Sequence, residues 1–443
     1  MYTVNKKNPK KLQAYAKKII PGVSQLFGKR PEVYLPGGKW PTYYTKAKGV
    51  KLWGIDNKKF LDFTMVGVGA SVLGYADEDV NRAAIKAVKF GSMTTLNVPD
   101  EIELAEMLLK IHSWADNVRY ARTGGESMSI AIRLARAYTK KEKILFCGYH
   151  GWHDWYLSAN IKSKKNLNTH LLPGLEPLGV PKSLQGSVIP FRFNNYYDIE
   201  KIVKKNAKNC AAIVLEPCRD FLPMKNYLKD LRTIANKNNC VLIFDEITSG
   251  WRLDTSGAHK KFGVNPDIAI FGKTIANGIP MGAIIGKKKI MQYADRTFIS
   301  SAFWTERIGP ACAIAFIKKH KKLQIGKKLI KIGKRIKGIW RTAADNFDLK
   351  INIKGIDPLA SFKLESSNWP ITLTFFIQEM LKKGILASDK CYANNKHSEE
   401  LLKKYEKACF EVFEEISRLE KRKEIKNNLE GPVKKMSFGR LND

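Results

Sequence analysis

The stretch from Leu242 to Gly282 reads LIFDEITSGWRLDTSGAHKKFGVNPDIAIFGKTIANGIPMG. Its first apolar run ends at Asp245. A second apolar run, Ile268 to Phe271, is followed by Gly272 and Lys273. Short apolar runs that end in glycine or polar residues are typical of buried parallel strands. Because ligands of open α/β sheets bind where such strands end, the sequence predicts a crevice that holds both an acid and an amine.

An acid and a lysine at neighbouring strand ends suit pyridoxal phosphate. The lysine forms a Schiff base with the cofactor's aldehyde, and the carboxylate keeps the pyridine nitrogen protonated so that the ring accepts electrons. On spacing alone, an Asp-Glu pair after a strand is more often a helix N-cap, and a lysine after glycine is more often solvated. A P-loop is excluded, because that motif needs a glycine five residues before Gly272, where Asp267 stands.

Five short motifs of this stretch occur together, namely Asp245-Glu246-Ile247, Gly250-Trp251-Arg252, Pro266-Asp267, Gly272-Lys273 and Gly278-Ile279-Pro280-Met281-Gly282. The set resembles the signature of class III pyridoxal-phosphate-dependent aminotransferases, and it is most similar to the branch that holds glutamate-1-semialdehyde aminomutase. The resemblance covers the chain from about Pro21 to about His397. It implies that Lys273 is the Schiff-base lysine and that Asp245 is the partner of the pyridinium nitrogen.

The resemblance also implies an α/β fold, fold type I of the pyridoxal-phosphate-dependent transferases. We expect a large cofactor-binding domain over residues 56–308, built on a mostly parallel seven-stranded sheet. A smaller α+β domain would combine an N-terminal segment, residues 1–55, with residues 309–443. The glycine-rich run from Gly67 to Gly74 indicates a close approach of the backbone, to a ligand or to another strand.

The motif Arg122-Thr123-Gly124-Gly125-Glu126 precedes a predicted helix that runs to about Tyr138. Paired glycines before a helix expose backbone N–H groups, and the helix dipole favours an anion there. A lone Gly-Gly pair would rather indicate a tight loop without a ligand. The position matches the family's Ser-Gly-Thr-Glu phosphate loop, which implies that Thr123, Gly124 and Gly125 bind the cofactor phosphate. Gly125 lacks the hydroxyl that the family usually has, which weakens one hydrogen bond.

Further site residues follow from the resemblance. Tyr149 would stack on the pyridine ring, next to His150. His150 and His153 rank low as general bases, because in this family the lysine moves the proton. Glu216, in the family's Glu-Pro motif, would lie near the cofactor ring. Arg219 would meet an anionic group of the substrate, although a surface position is at least as good an interpretation.

Two segments suggest how the site is completed. Leu172 to Pro190 is rich in proline and glycine, which predicts a flexible active-site loop. Ser300 to Pro310 resembles the segment that crosses from the neighbouring subunit in this family. The resemblance implies that Thr305 binds the phosphate of the partner's cofactor, in an obligate homodimer with its sites at the interface.

The charge of the chain needs an explanation of its own. Seventy-seven Lys and Arg residues against 42 Asp and Glu leave a formal net charge of +35. Such an excess is typical of proteins that bind nucleic acid or an anionic membrane surface. The basic residues here are mostly lysines spread along the chain, with no long basic block and no RNA-binding motif. We therefore attribute the charge to a general lysine habit of the source genome, and expect no nucleic-acid partner.

Cysteine usage and hydropathy indicate the cellular compartment of the protein. The 7 cysteines form no CxxC pair, which suits reduced core thiols, and no His or Cys cluster has zinc spacing. We expect no metal. The N-terminus is lysine-rich without an apolar signal region, and no apolar run approaches membrane length. The sequence therefore predicts a soluble cytoplasmic protein.

The preferred function is ping-pong transfer of an amino group from an amino donor to a carbonyl acceptor. Intramolecular transfer, as in glutamate-1-semialdehyde aminomutase, is the alternative. Three departures argue against it. Lys29 and Arg30 are out of register with that enzyme's substrate-binding arginine, its Trp-Gly-Pro is replaced by Val68-Gly69-Ala70, and its Ser-Gly-Asn-Pro by Arg307-Ile308-Gly309-Pro310. A basic nucleic-acid-binding protein on a degenerate enzyme fold is a third interpretation, against which the intact Asp245 and Lys273 argue.

Overall fold

The computed structural model describes residues 8–163, 166–169 and 176–436. The described residues form two compact units, one within Glu78–Lys327 and one that combines Met1–Asp77 with Lys328–Asp443. The domain boundaries after residues 55 and 308 stay predictions. The division between the compact units falls after Lys327, later in the chain than residue 308. The helix that begins at Ile308 packs against helices within Glu78–Lys327 and therefore belongs to that unit.

Strands and helices are numbered here in chain order. The strands are β1 (Tyr44–Lys48), β2 (Lys51–Gly54), β3 (Lys59–Phe63), β4 (Asn117–Ala121), β5 (Lys143–Cys147), β6 (Val188–Pro190), β7 (Cys210–Leu215), β8 (Val241–Asp245), β9 (Ile268–Phe271), β10 (Gly282–Gly286), β11 (Ile351–Lys354), β12 (Leu359–Leu364), β13 (Ile385–Ala387) and β14 (Lys390–Tyr392). The α-helices are α1 (Pro9–Ile19), α2 (Glu78–Lys89), α3 (Pro99–Ile111), α4 (Gly124–Thr139), α5 (Asp154–Leu157), α6 (Ala159–Lys162), α7 (Tyr196–Asn206), α8 (Tyr227–Lys237), α9 (Ala258–Phe262), α10 (Lys288–Met291), α11 (Ile308–Lys322), α12 (Ile325–Asn346), α13 (Trp369–Lys382) and α14 (Glu399–Arg422).

A seven-stranded sheet in the order β4-β10-β9-β8-β7-β5-β6 forms the centre of the unit Glu78–Lys327. Strand β10 is antiparallel to both of its neighbours, and the other neighbouring pairs are parallel. The predicted α/β fold with a mostly parallel seven-stranded sheet is therefore confirmed. Because β5, β7, β8 and β9 are parallel, their carboxyl ends lie at the same edge of the sheet, and the residues that follow them meet there.

Both faces of this sheet are covered by helices, which explains why its inner strands β7 and β9 are apolar throughout. On β7, Ala212 and Val214 belong to the same core cluster as Leu134 of α4. Ile213 belongs to a second cluster, together with Leu231 of α8. Since successive residues of a strand point to opposite faces, neither face of β7 has room for a polar side chain.

One predicted loop is partly wrong. Of the segment from Leu172 to Pro190, residues 172–175 lie outside the described residues. The rest contains a 3-10 turn, Lys182–Leu184, and ends in strand β6, which pairs with β5 at the edge of the sheet. The sequence does not reveal this strand, because it is only 3 residues long and ends in proline. Proline is tolerated on an edge strand because its missing N–H faces away from the sheet.

The unit that combines Met1–Asp77 with Lys328–Asp443 contains two smaller sheets. Their strand orders are β1-β2-β3-β13 and β11-β12-β14. The predicted hairpin over Val50 to Phe63 is present as β2 and β3. Gly74 adopts a φ of +96°, and a Cβ atom added there would lie 3.0 Å from the Cα atom of Gly49. The glycine-rich run therefore approaches another backbone segment, one of the two alternatives that the sequence left open.

The described helices are all too short or too polar to cross a lipid bilayer. Within residues 8–163, 166–169 and 176–436, three or more His, Cys, Asp or Glu side chains nowhere come together as metal ligands would.

Candidate active site

Lys273 lies in a strained turn at the end of β9. It begins a 3-10 helix, Lys273–Ala276, and its φ of +43° places it in the left-handed region, which non-glycine residues rarely adopt. Its Nζ atom donates a hydrogen bond of 2.8 Å to Oγ1 of Thr248. Burial, with the positive charge of Arg219, lowers the pKa of Lys273 to about 7. A substantial fraction of the amine is therefore uncharged at neutral pH, and this uncharged form is the nucleophile.

Asp245 ends β8 and is hydrogen-bonded to His150. Nδ1 of His150 lies 2.8 Å from Oδ2 of Asp245, and Nε2 of His150 lies 3.1 Å from the carbonyl oxygen of Cys147. A carbonyl oxygen only accepts, so Nε2 carries a proton. The hydrogen bond between Nδ1 and Oδ2 then requires one further proton on one of these two atoms. The other carboxylate oxygen of Asp245 accepts from the backbone N–H of Ile247 at 3.0 Å, so the orientation of the carboxylate is well defined.

A second acidic group and an arginine lie close to the same lysine. Nη1 of Arg219 donates to Oε1 of Glu216 at 3.2 Å, and the backbone N–H of Tyr149 donates to Oε2 at 3.3 Å. Both partners of the ion pair are largely buried. Burial raises the pKa of Glu216, against the charges of Arg219 and Lys273. The ends of β5, β7 and β9 thus meet around one charged cluster.

The predicted phosphate loop forms the first turn of α4. Thr123 is the N-cap of this helix, and its hydroxyl donates to Glu126 Oε2 at 2.9 Å and accepts from the Glu126 N–H at 3.3 Å. This capping box occupies the hydroxyl of Thr123. The N–H groups of Gly124 and Gly125 belong to the first turn, which has no carbonyl of its own helix to bond. Ile247 packs against both Gly124 and Gly272, which joins this turn to the lysine turn.

Glu246 forms a buried network behind the site. Its carboxylate accepts from Ser249 Oγ at 2.6 Å, from the backbone N–H groups of Ala258 and His259, and from Nδ1 of His259 at 2.9 Å. Nε2 of His259 in turn accepts from Nε1 of Trp114 at 3.0 Å. The carboxylate therefore holds the N-terminus of α9 against the end of β8, next to Asp245.

We expect the substitution Glu246→Ala to lower the free energy of unfolding by about 3–5 kcal/mol, because it leaves several buried donors without an acceptor. Urea unfolding followed by circular dichroism measures the loss. Glu414→Ala, on the exposed face of α14, is the matched control and should change stability by only about 0.5 kcal/mol. An equal effect of both substitutions would contradict the structural role of Glu246.

The same network predicts a pH dependence. Burial favours a higher pKa for Glu246, but the hydrogen bonds from His259 and from the hydroxyl of Ser249 outweigh it and hold the pKa below its ordinary value. The stability that Glu246 contributes is thus present above the unfolded pKa of about 4.3 and is lost as the pH falls through the lower folded value. The stability difference between wild type and Glu246→Ala should therefore shrink in acid.

The segment around Thr305 lies on the surface of this unit. Thr305 is exposed, and its hydroxyl donates to the carbonyl of Ala302 at 2.8 Å. Its neighbour Glu306 pairs with Arg122 at 2.9 Å and accepts from the first N–H groups of α11. The contact of Thr305 with a partner's cofactor stays a prediction.

Most residues predicted for the site meet at the carboxyl edge of the sheet. Lys273, Asp245, Glu216, Arg219 and Tyr149 share one network of hydrogen bonds and charges. Of these, Arg219 is largely buried rather than on the surface, with 16% of its side chain exposed.

Sequence reasoning missed two residues. Thr248, the partner of Lys273, lies outside every motif that carries the resemblance, so no signal marks it. His259 occupies a short helix whose burial could not be predicted from its lysine neighbours. Glu246 was identified only as part of a motif.

The family profile described as aminotransferase class-III matches residues 35–391. The chain belongs to the class-III aminotransferases. A 3-aminobutyryl-CoA aminotransferase from Cloacimonas acidaminovorans (strain Evry) is 33% identical over 311 residues, 68% of this chain and 70% of that protein. A glutamate-1-semialdehyde 2,1-aminomutase from Nitrosopumilus maritimus (strain SCM1) is 33% identical over 422 residues, 89% of this chain and 96% of that protein.

This class-III aminotransferase has the fold of solved relatives. The structure of an omega-transaminase from Sphaerobacter thermophilus superposes with a TM-score of 0.82 at 23% identity, covering 93% of this chain and 98% of that one. Membership of the family makes the protein an enzyme that uses pyridoxal phosphate. The residues fit the cofactor, because the buried amine of Lys273 suits its aldehyde and the first turn of α4 offers N–H groups to its phosphate.

Proposed function

We propose that this class-III aminotransferase moves an amino group from an amino donor to a separate carbonyl acceptor, in two half-reactions at one site. The buried Lys273, whose pKa is lowered and which lies beside two acidic groups, is the observation that carries the proposal. When bound, pyridoxal phosphate supplies the electron sink. Lys273 would hold the aldehyde and afterwards, as a free amine, move a proton between the substrate carbon and the cofactor.

Asp245 would bind the pyridine nitrogen of the cofactor and keep it protonated, as expected from the resemblance. His150 holds the carboxylate of Asp245 in place, because one of its nitrogen atoms is hydrogen-bonded to Asp245 and the other to the carbonyl of Cys147. We therefore assign His150 to the positioning of the Asp245 carboxylate. Tyr149 is assigned to the face of the pyridine ring, and its backbone N–H is held by Oε2 of Glu216.

 The ring of Tyr149 also packs edge-on against Tyr156, with 5.8 Å between the ring centroids, which limits the directions in which it can turn.

Arg219 and Glu216 would recognise the substrates. An ion pair inside the site lets the arginine bind a substrate carboxylate, or remain on Glu216 when the second substrate lacks one. A single pocket can then accept donor and acceptor in turn, which intermolecular transfer requires. An anionic acceptor also suits the positive field of a chain with a net charge of +35.

The pKa of Lys273 predicts how fast the apoenzyme takes up the cofactor. The rate should rise with pH, reach half its maximum near pH 7 and then level off, because only the uncharged amine attacks. Replacing Arg219 by Gln removes a positive charge that lowers this pKa, so the midpoint should move to higher pH. Stopped-flow absorbance measures the rate, with Nα-acetyl-lysine as the control amine of ordinary pKa. A midpoint near pH 10 in the wild type would contradict the assignment.

The function itself is tested by half-reactions. The holoenzyme is mixed with single amino donors, and loss of the yellow absorbance reports transfer of the amino group to the cofactor. A carbonyl acceptor added afterwards should restore the colour. Turnover of glutamate-1-semialdehyde with no second substrate would instead support the aminomutase. Failure of every donor together with such turnover would overturn the proposal.

We also propose a homodimer, in which Thr305 reaches the phosphate of the partner's cofactor. Large apolar side chains on the unit Glu78–Lys327 support it, since Leu96, Phe298 and Phe303 are 80%, 89% and 69% exposed. Light scattering should give about twice the mass of the 50.2 kDa chain. The free thiols of all seven cysteines suit a reducing compartment, and we propose a cytoplasmic location.

A further inference from the structure

The phosphate loop of this chain has lost a hydroxyl, and a neighbouring side chain occupies its place. Gly125 stands where the family usually has a residue with a hydroxyl. A Cβ atom added at Gly125 would lie 2.8 Å from both Cδ2 and Nε2 of His153. That separation is too short for any real Cβ atom. The imidazole of His153 therefore fills the space that the missing side chain would have taken.

The backbone brings His153 to this position. Gly151 adopts a φ of +101°, and a Cβ atom added there would lie 3.2 Å from the Cα atom of Gly125. The two glycines let the segment after β5 lie against the first turn of α4. His153 is also the N-cap of α5, where its carbonyl accepts from Tyr156 at 2.9 Å. The main chain of His153 is thus held in place while its ring is directed to α4.

The ring orientation is determined by a second contact. Nδ1 of His153 lies 2.9 Å from the hydroxyl of Ser129, one turn further along α4. We assign Nδ1 as the acceptor of this hydroxyl, which places the ring proton on Nε2, the nitrogen that faces Gly125. Burial lowers the pKa of His153, which favours the neutral ring with a single N–H group.

The turn also needs a further donor for an anion. The hydroxyl and the N–H of Thr123 are both engaged by Glu126, at 2.9 and 2.8 Å. In the first turn this leaves the N–H groups of Gly124 and Gly125, which point along the helix axis. A phosphate dianion accepts more hydrogen bonds than these two groups supply.

We propose that Nε2–H of His153 donates a hydrogen bond to the phosphate of pyridoxal phosphate, in place of the hydroxyl that Gly125 lacks. This inference rests on the cofactor assignment and on the phosphate site at the start of α4. Gly125 and His153 then form one functional pair, because the glycine makes room for the ring and the ring replaces the lost donor.

The test measures binding rather than turnover. Apoenzyme is titrated with pyridoxal phosphate and with pyridoxal, which has the same aldehyde and no phosphate, and the absorbance of the adduct gives each Kd. We expect His153→Ala and His153→Phe to weaken pyridoxal phosphate about 10- to 100-fold, the range for a hydrogen bond to a charged group, and to leave pyridoxal within about twofold. The phenylalanine variant keeps the ring volume, so a loss shared by both variants identifies the N–H group.

A double variant provides the complementary test. Gly125→Thr alone should bind pyridoxal phosphate poorly, because its side chain collides with His153. Gly125→Thr combined with His153→Ala restores the family's hydroxyl and removes the collision, so much of the affinity should return. The inference is overturned if the His153 variants bind pyridoxal phosphate as the wild type does, or if they lose pyridoxal by the same factor. A wild type that binds neither aldehyde would instead contradict the cofactor assignment.

Discussion

Replacing Lys273 by Ala is expected to reduce amino transfer by about 10⁴-fold or more and to abolish the yellow absorbance of the purified protein. The variant loses both the amine that binds the aldehyde and the base that moves the proton, and proton transfer alone contributes about 10²- to 10⁴-fold. Absorbance spectra and single-turnover rates with the best amino donor measure the two losses separately.

The matched control is Lys201→Ala, at an exposed position of α7. It should keep both colour and rate, because it removes a solvent-exposed amine outside the site. The turn at residue 273 is strained with a lysine or an alanine side chain, so Lys273→Ala should fold as the wild type does. Circular dichroism checks that the variant is folded. Persistence of both colour and turnover in Lys273→Ala would show that another residue carries the chemistry.

Replacing Asp245 by Asn should have the second largest effect, a fall in kcat of about 10²- to 10⁴-fold. The substitution removes the negative charge that would pair with the protonated pyridine nitrogen. Breaking a buried charge pair costs about 3–5 kcal/mol, and each 1.36 kcal/mol corresponds to a factor of ten in rate. The variant should keep its shape, because Nδ1 of His150 can accept from the new amide group while Nε2 donates to the carbonyl of Cys147. The measured loss therefore reports the charge of Asp245.

Asp254→Asn, the same substitution at an exposed position, provides the comparison. It should leave kcat unchanged, and both variants should unfold at similar urea concentrations. A kcat for Asp245→Asn within threefold of the wild type would contradict the proposed contact with the pyridine nitrogen.

Local patterns predict much of this enzyme. The apolar runs of β5, β7, β8 and β9 are recognisable because strands buried on both faces must be apolar at every position. The acid that ends β8 and the lysine that follows β9 are found from the same pattern, since polar residues mark the points where the apolar runs end. The motifs then identify the family, and the family implies the cofactor.

These patterns do not predict contacts between residues that are far apart in the sequence. His150 and Asp245 are 95 residues apart, Lys273 and Thr248 are 25 apart, and Trp114 and His259 are 145 apart. Lys273 and Thr248 follow the neighbouring strands β9 and β8, whereas β7 separates β5, which precedes His150, from β8, which ends at Asp245, and Trp114 and His259 lie outside the strands. Sequence periodicity records which face of an element is apolar, and it does not record which element lies opposite.

Gly125 illustrates the difference most clearly. From the sequence alone, Gly125 lacks the hydroxyl that the family usually has at this position. A weaker phosphate site is predicted, because a glycine contributes only its backbone. In the folded chain the same glycine makes room for His153, 28 residues later, which Ser129 orients from one turn further along the helix. A residue's own chemistry can be read from its letter, whereas the space around it is determined by how helices and strands pack in three dimensions.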